Sequence, residues 1–148
     1  IQSCSATKQD AEKPVQALDL YDGYFFRIIK KAVRAGRFQS GLDIIIISAK
    51  HGVVEPDDEI MYYDQRMDPE RAEELNDAVI DAVTDKVAEA GYEKVWVNLG
   101  KDYLPAVDGL GSAVDVPVGY IEGCGIGMKG KRLKHLVSSG RSIPVHGD

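Results

Sequence analysis

Four consecutive isoleucines, Ile44 to Ile47, lie inside the run LDIIIISAKHGVVEPDDEIMYYD. A β-branched side chain at every position leaves no polar face for solvent. Such a segment reads as a strand buried on both sides, the pattern of parallel sheets covered by helices. It stops at Ser48-Ala49-Lys50-His51-Gly52, where small, polar and charged residues take over. A chain built around this strand needs apolar helices against both of its faces and must expose whatever follows it.

The flanking segments can supply those helices. Leu18 to Ala35 places Leu20, Phe25, Ile28, Ile29, Ala32 and Val33 near helical spacing, and Gly36 suits the C-terminal stop. Asp68-Pro69-Glu70 is a helix start, with Asp as N-cap and Pro in the first helical position. Leu75, Val79, Val83 and Val87 then recur every four residues, and Gly91 closes the helix. Ile1 to Ser3 and Val95 to Leu99 read as strands, Tyr103 to Leu110 as a short turn or helix. Val114 to Ile121 is extended, with Pro117 pointing to an edge or irregular strand, and Leu133 to Val137 belongs to a last helix.

The alternation predicts the α/β class. The expected architecture is a single three-layer domain over residues 1–139, with a mostly parallel central sheet of about four strands and helices on both faces. Ile44–Ile47 and Val95–Leu99 are expected to be adjacent or near-adjacent parallel strands. Residues 140–148 read as a C-terminal tail.

Composition narrows the function classes. An apolar content of 44% and a charged content of 28% are those of a soluble globular chain. No apolar run reaches the roughly 20 residues of a membrane span, and no basic-then-apolar start reads as a signal peptide. Cys4 and Cys124 form no CxxC pair, so neither a disulfide framework nor a standard zinc site is expected, and the cytoplasm is the default compartment. The net charge of −6 is uneven: residues 51–100 hold 4 basic and 14 acidic side chains, the remainder 14 basic and 10 acidic. An acidic whole does not favour non-specific DNA binding, yet this division leaves a local basic face open.

In open α/β sheets, ligands bind beyond the carboxyl ends of the strands. Four segments reach that edge: Ser3 to Lys8, Ser48 to Gly52, Asn98 to Lys101 and Glu122 to Gly125. Their lysines supply positive charge, and their glycines let backbone N–H groups approach a ligand. The composition suits a polar, anionic ligand; ordinary turns would have it too. Gly125-Ile126-Gly127-Met128-Lys129-Gly130 matches GxGxxG, but the chain ends before the further strand and acidic residue of a dinucleotide fold. An anion site at a helix N-terminus and a structural turn are the two remaining readings. No cofactor is called for.

His51 fits an acid–base role as well as a structural one. Cys4 with His51 raises a thiol nucleophile, although a buried inert cysteine is the commoner case. Asp57, Asp58 and Glu59 have metal-binding chemistry but sit in what reads as a solvated loop, so no metal site is expected. Tyr62 and Tyr63 could stack on a base or pack across a loop.

The same segments carry a resemblance. Ser3-Cys4-Ser5 with Lys8, Leu20-Tyr21, Ile47-Ser48-Ala49-Lys50-His51-Gly52-Val53-Val54, Pro56, Ile60 and Tyr63-Asp64 occur in order. Gly100-Lys101-x-Tyr103, Gly123-Cys124-Gly125-Ile126-Gly127 and Leu133-Lys134 complete the set. The chain resembles an uncharacterised domain family of bacteria, archaea and phages with the core SCSxxK…LY…SAKYGLL…PYD…GxxY…GxGIG…LK. That family is similar to the YaaA group, linked to peroxide stress and DNA binding, and more distantly to the α/β sandwich of uracil-DNA glycosylases. His51 stands where tyrosine is usual, Val53-Val54 replaces a Leu pair, and Met61-Tyr62 stands where a proline usually precedes the tyrosine. The histidine puts a role of the usual tyrosine hydroxyl in doubt.

These observations set three expectations. The first is a nucleic-acid-associated protein that holds a nucleotide, base or phosphate at the strand ends. Its ligand-binding set is Ser3, Ser5, Lys8, Tyr21, Ser48, Lys50, Tyr63, Lys101, Gly125 and Gly127, the lysines contacting phosphate and Tyr21 or Tyr63 stacking. The second is a small hydrolase or transferase of N-glycosidic bonds with Asp64 and His51 as catalytic candidates. The third is a non-enzymatic oligomeric scaffold. The expected partner is a nucleotide, nucleobase or nucleic acid, and not a membrane; the sequence sets no oligomeric state.

Overall fold

The structure is a computed structural model that describes residues 1–5, 8–9, 12–122 and 125–139, Ser139 by its backbone alone. The Gly123-Cys124 pair and the expected tail therefore lie outside the described residues. The elements run β1 (Gln2–Ser3), β2 (Val15–Gln16), α1 (Ala17–Leu20), α2 (Tyr24–Arg34), β3 (Ile46–Ser48), β4 (Gly52–Val54) and β5 (Glu59–Ile60). They continue α3 (Pro69–Ala90), β6 (Val95–Val97), a 3-10 helix (Lys101–Val107), α4 (Leu110–Ala113), β7 (Val118–Tyr120) and α5 (Ile126–Ser139).

The expected single, mostly parallel sheet of about four strands is corrected by the pairing. Among the described residues the strands are two or three residues long and form three small sheets. One is mixed, with β1 parallel and β4 antiparallel to β3; one is the antiparallel pair β2–β5; one is the parallel pair β6–β7. The physical reason lies at Gly52, whose φ of 76° turns the chain back at once, so that residues expected to form a loop become an antiparallel strand. Ile44–Ile47 and Val95–Leu99 do not pair. β1 lies between them, joined to β3 by its ladder and to Asn98 by an isolated parallel bridge at Gln2.

The isoleucine run still divides the core. Ile45 and Ile47 enter one apolar cluster with Ala72, Leu75, Val79 and Val83 of α3 and with Val95 and Val97 of β6. Ile46 enters a second cluster with Leu20, Tyr21, Phe26, Ile60 and Tyr63, while Ile44 packs beside Ile29, Ala32, Leu133 and Val137 of α2 and α5. Alternate residues of an extended chain point to opposite faces. α3 therefore lies on one side of β3, and α2 and α5 on the other.

Helix boundaries follow local chemistry. Asp68 accepts a 2.7 Å bond from the Arg71 amide, Pro69 occupies the first turn, and Gly91 takes the left-handed conformation at φ 67°. The helix expected over Leu18–Ala35 is instead broken at Tyr21–Gly23. Tyr21 is extended there, pairs with Lys8 across an isolated antiparallel bridge, and its carbonyl accepts from Lys30 Nζ at 2.7 Å. Among the described residues, no helix is long and apolar enough to cross a membrane.

Candidate functional site

Five chain segments deliver polar groups to one edge of the fold. After β1, the Cys4 amide bonds the Ile47 carbonyl at 2.9 Å, which sets Cys4 beside the end of β3. Ser48 is the last residue of β3. After β6 the chain enters the 3-10 helix, which returns Tyr103 to Cys4 with Oη 3.1 Å from Sγ. The break before α2 brings Tyr21, and the segment after β5 brings Tyr63.

At the centre is a buried chain of hydroxyls. Ser48 Oγ donates to Tyr63 Oη at 2.8 Å, and the Tyr63 and Tyr21 hydroxyls share a 2.7 Å bond. Ser48 Oγ also accepts from the His51 amide at 3.0 Å, which holds the turn after β3. Burial pushes the Tyr21 phenol up to about 12, against the lowering effect of the neighbouring Ser48 and Tyr63 hydroxyls. Burial, followed by the neighbouring Cys4, raises Tyr63 and Tyr103 as well. All three phenols therefore stay protonated at neutral pH and serve as neutral hydrogen-bonding groups.

Lys8 sits over this cluster, with Nζ 4.4 Å from the centre of the Tyr63 ring. Partial burial lowers its pKa, while the Cys4 and Asp64 side chains favour its charged form. The His51 ring meets Tyr63 edge-on at 5.1 Å between centres. The result is an ammonium on an aromatic face near a carboxylate, with an imidazole against the same ring, at the edge where parallel β1 and β3 end.

The expected site residues divide into four groups. Ser48, Tyr21 and Tyr63 are interior: Tyr21 is 0% and Tyr63 4% exposed, so neither ring offers an open face to a base in this arrangement. Ser3, Ser5 and Lys8 are half-buried, and Ser5 Oγ accepts from the Gly23 amide at 3.2 Å. Lys50, His51, Asp64 and Lys101 are exposed. Gly125 immediately precedes α5 and Gly127 lies in its first turn; α5 packs beside α2. Gly125 has φ 100°, in the left-handed region that favours glycine.

Sequence reasoning passed over two contributors. Tyr103 was visible only as the end of Gly100-x-x-Tyr103, and its contact with Cys4 spans 99 residues. Arg71 bonds the Ala49 carbonyl through Nε at 2.7 Å and the Lys50 carbonyl through Nη2 at 3.1 Å, so the first turn of α3 clamps the turn after β3.

Two other features stand apart from this edge. Glu55, Asp57 and Asp58 bring carboxylate oxygens within 4.8 Å of one another, but all three are exposed. Asp58 accepts from the Glu55 amide at 2.8 Å, and Glu55 is paired with Lys86. A cleft of about 640 Å³ opens at the opposite, amino-terminal edge, among Ile1, Ile44, Val95, Trp96 and Leu136. Its lining mixes these apolar side chains with Asp43, Lys86, Glu93 and Lys94, and it does not include the Lys8 cluster.

No curated protein and no solved structure matches the chain significantly. A family model does, over residues 1–135, the span that holds every element up to α5 and the whole Cys4–Lys8–Ser48–Tyr63–Tyr103 cluster. The chain belongs to the family of unknown function DUF6884.

Proposed function

We propose that the protein binds a nucleotide, or the phosphate and base at a nucleic-acid end, at the edge where β1 and β3 finish. One observation carries this reading. Lys8 holds its ammonium on the Tyr63 ring, half out of water, near the exposed Asp64, and the exposed His51 meets the same ring. A lysine ammonium is strongly hydrated, and partial burial weakens that hydration and strengthens its attraction for an anion. Lys50 follows β3 and Lys101 follows β6, adding exposed positive charge at the rim. The buried tyrosines form a rigid floor, and base stacking falls to the exposed Tyr62, next to Tyr63.

The motif likeness to the YaaA group favours a nucleic-acid context and a cytoplasmic location, which the sparing use of cysteine suits. Asp64 favours a second reading, cleavage of an N-glycosidic bond. An exposed carboxylate beside a cation is the pair needed to activate water and steady a departing base.

The test is a thermal-shift and calorimetric screen of inorganic phosphate, nucleosides, nucleotides and short DNA, with base release followed by chromatography. Stabilisation by a phosphate-bearing ligand, lost in Lys8→Met, supports binding; base release lost in Asp64→Asn supports the enzyme. A panel without any response, or a response unchanged in Lys8→Met, overturns the assignment.

A further inference from the structure

The charge of this acidic chain is sorted by layer. α3 carries seven acidic and two basic side chains. On the other side of β3, α2 carries Arg27, Lys30, Lys31 and Arg34 and no acid. α5 carries Lys129, Lys131, Arg132 and Lys134, and again no acid. The two helices pack against each other through Ile29, Ala32, Leu133 and Val137. They run in the same direction. The Gly130 backbone lies against the Tyr24 ring at one end, and the Gln39 amide bonds the Val137 carbonyl at 2.8 Å at the other. Eight basic residues and no acidic one therefore lie on two parallel helices of a protein whose net charge is −6.

Part of this charge is answered locally. Asp22, just before α2, bonds Arg27 and Lys30, each at 3.3 Å. Lys129 lies 5.8 Å from the Phe25 ring centre and is half-buried. Lys31, Arg34, Lys131 and Lys134 are exposed. Like charges gathered on one face repel, and that repulsion is relieved by a polyanion.

We infer that the α2–α5 face is a docking surface for the phosphate backbone of a nucleic acid, separate from the Lys8 edge. The basic residues run about 10 Å along α2, from Arg27 to Arg34, and about 7 Å along α5, from Lys129 to Lys134. Two such basic rows side by side match a run of phosphates better than a single small anion. An anionic membrane is the other polyanion, and the packing argues against it. A helix that lies in a bilayer needs its apolar face for the lipid. Here Phe26, Ile29 and Ala32 of α2, and Leu133, Leu136 and Val137 of α5, are already buried in the fold. The acidic α3 layer on the far side orients the protein with α2 and α5 toward the phosphates.

The experiment is fluorescence anisotropy of a labelled duplex of random sequence, titrated from low to physiological salt. Lys31→Gln/Lys134→Gln is compared with Lys13→Gln/Arg66→Gln, which removes the same charge from exposed loop positions. Each phosphate contact contributes about 0.9 to the log–log salt slope, so the helix pair should lower the slope by about 1.8 and the affinity at low salt by about tenfold or more. The loop pair should leave the slope unchanged. Equal losses in both pairs would reduce the effect to net charge and overturn the assignment. So would an absence of duplex binding at low salt, or binding to phosphatidylserine vesicles in its place. Because Lys8 is untouched in both pairs, failure here leaves the nucleotide reading standing, and the reverse also holds.

Discussion

Replacing Tyr63 with phenylalanine tests whether the hydroxyl chain under Lys8 is a structural floor. The ring stays, so its packing on Tyr21 and His51 is kept; only Oη is lost. That oxygen accepts from Ser48 at 2.8 Å and bonds Tyr21 at 2.7 Å, both in the interior. A buried polar group left without its partner costs about 1–3 kcal/mol. Two groups lose a partner, but Ser48 keeps the bond from the His51 amide, so part of its hydrogen bonding is retained. The expected destabilisation is about 2 kcal/mol, read by urea denaturation, or a fall in Tm of about 4–8 °C for a chain of this size. Tyr21→Phe should cost about half as much, and the double variant should fall short of the sum by about 0.5 kcal/mol or more. Ligand binding at Lys8 should survive, because a phenyl face also holds a cation. A loss under about 0.5 kcal/mol that is additive with Tyr21→Phe would show that the hydroxyls do not act as a unit.

Three further outcomes follow from the geometry. Tyr21, Tyr63 and Tyr103 have folded-state pKa values above the ordinary tyrosine value, Tyr21 at about 12. Their contribution is therefore fully present below about pH 10, and stability should fall as pH rises from there toward 12, with phenolate absorbance appearing together with loss of circular dichroism. Gly119→Ala would place a methyl group 2.8 Å from Trp96 Cζ3 and should cost about 1–3 kcal/mol in a denaturation experiment. Asp68→Ala removes the N-cap bond of α3 and should cost about 1 kcal/mol, and Asp68→Asn much less.

The sequence made α3 legible at both ends because its signals are local: a capping aspartate, a proline and a closing glycine act within a few residues. It made the two-sided burial of the isoleucine run legible for the same reason. Sheet pairing depended on events that leave little local trace. β2 and β5 are two residues each, and Gly52 looked like a site glycine when its left-handed φ was serving a reversal. The helix expected over Leu18–Ala35 kept its apolar spacing across the break, so periodicity could not reveal that Tyr21 is extended. At the candidate site, residue types were legible and roles were not. Tyr63 stood out as an aromatic beside Asp64, but whether it meets a ligand or the core depends on Tyr21, Ser48 and Lys8, which are between 15 and 55 positions away.

Why the isoleucine strand ends in Ser48-Ala49-Lys50-His51-Gly52 has a structural answer and leaves one residue for function. Ser48 takes the His51 amide on its hydroxyl, Arg71 and Gln65 hold the Ala49 carbonyl at 2.7 and 3.1 Å, and Gly52 supplies the positive φ. Those three bonds and the Gly52 dihedral define the turn between β3 and β4, and the Lys50 side chain takes no part in them. Its carbonyl is held by Arg71, while the side chain is exposed at the tip. Lys50→Ala should therefore change stability by less than about 0.5 kcal/mol, whereas Arg71→Ala, which strips bonds from two carbonyls, should cost about 1–2 kcal/mol. Binding separates the two differently. If Lys50 lends charge to the rim, Lys50→Ala should weaken a nucleotide several-fold at low salt, with the difference shrinking as salt rises. A Lys50→Ala protein that melts as early as Arg71→Ala and binds as the parent does would make Lys50 part of the turn, and leave Lys8 to meet the anion without it.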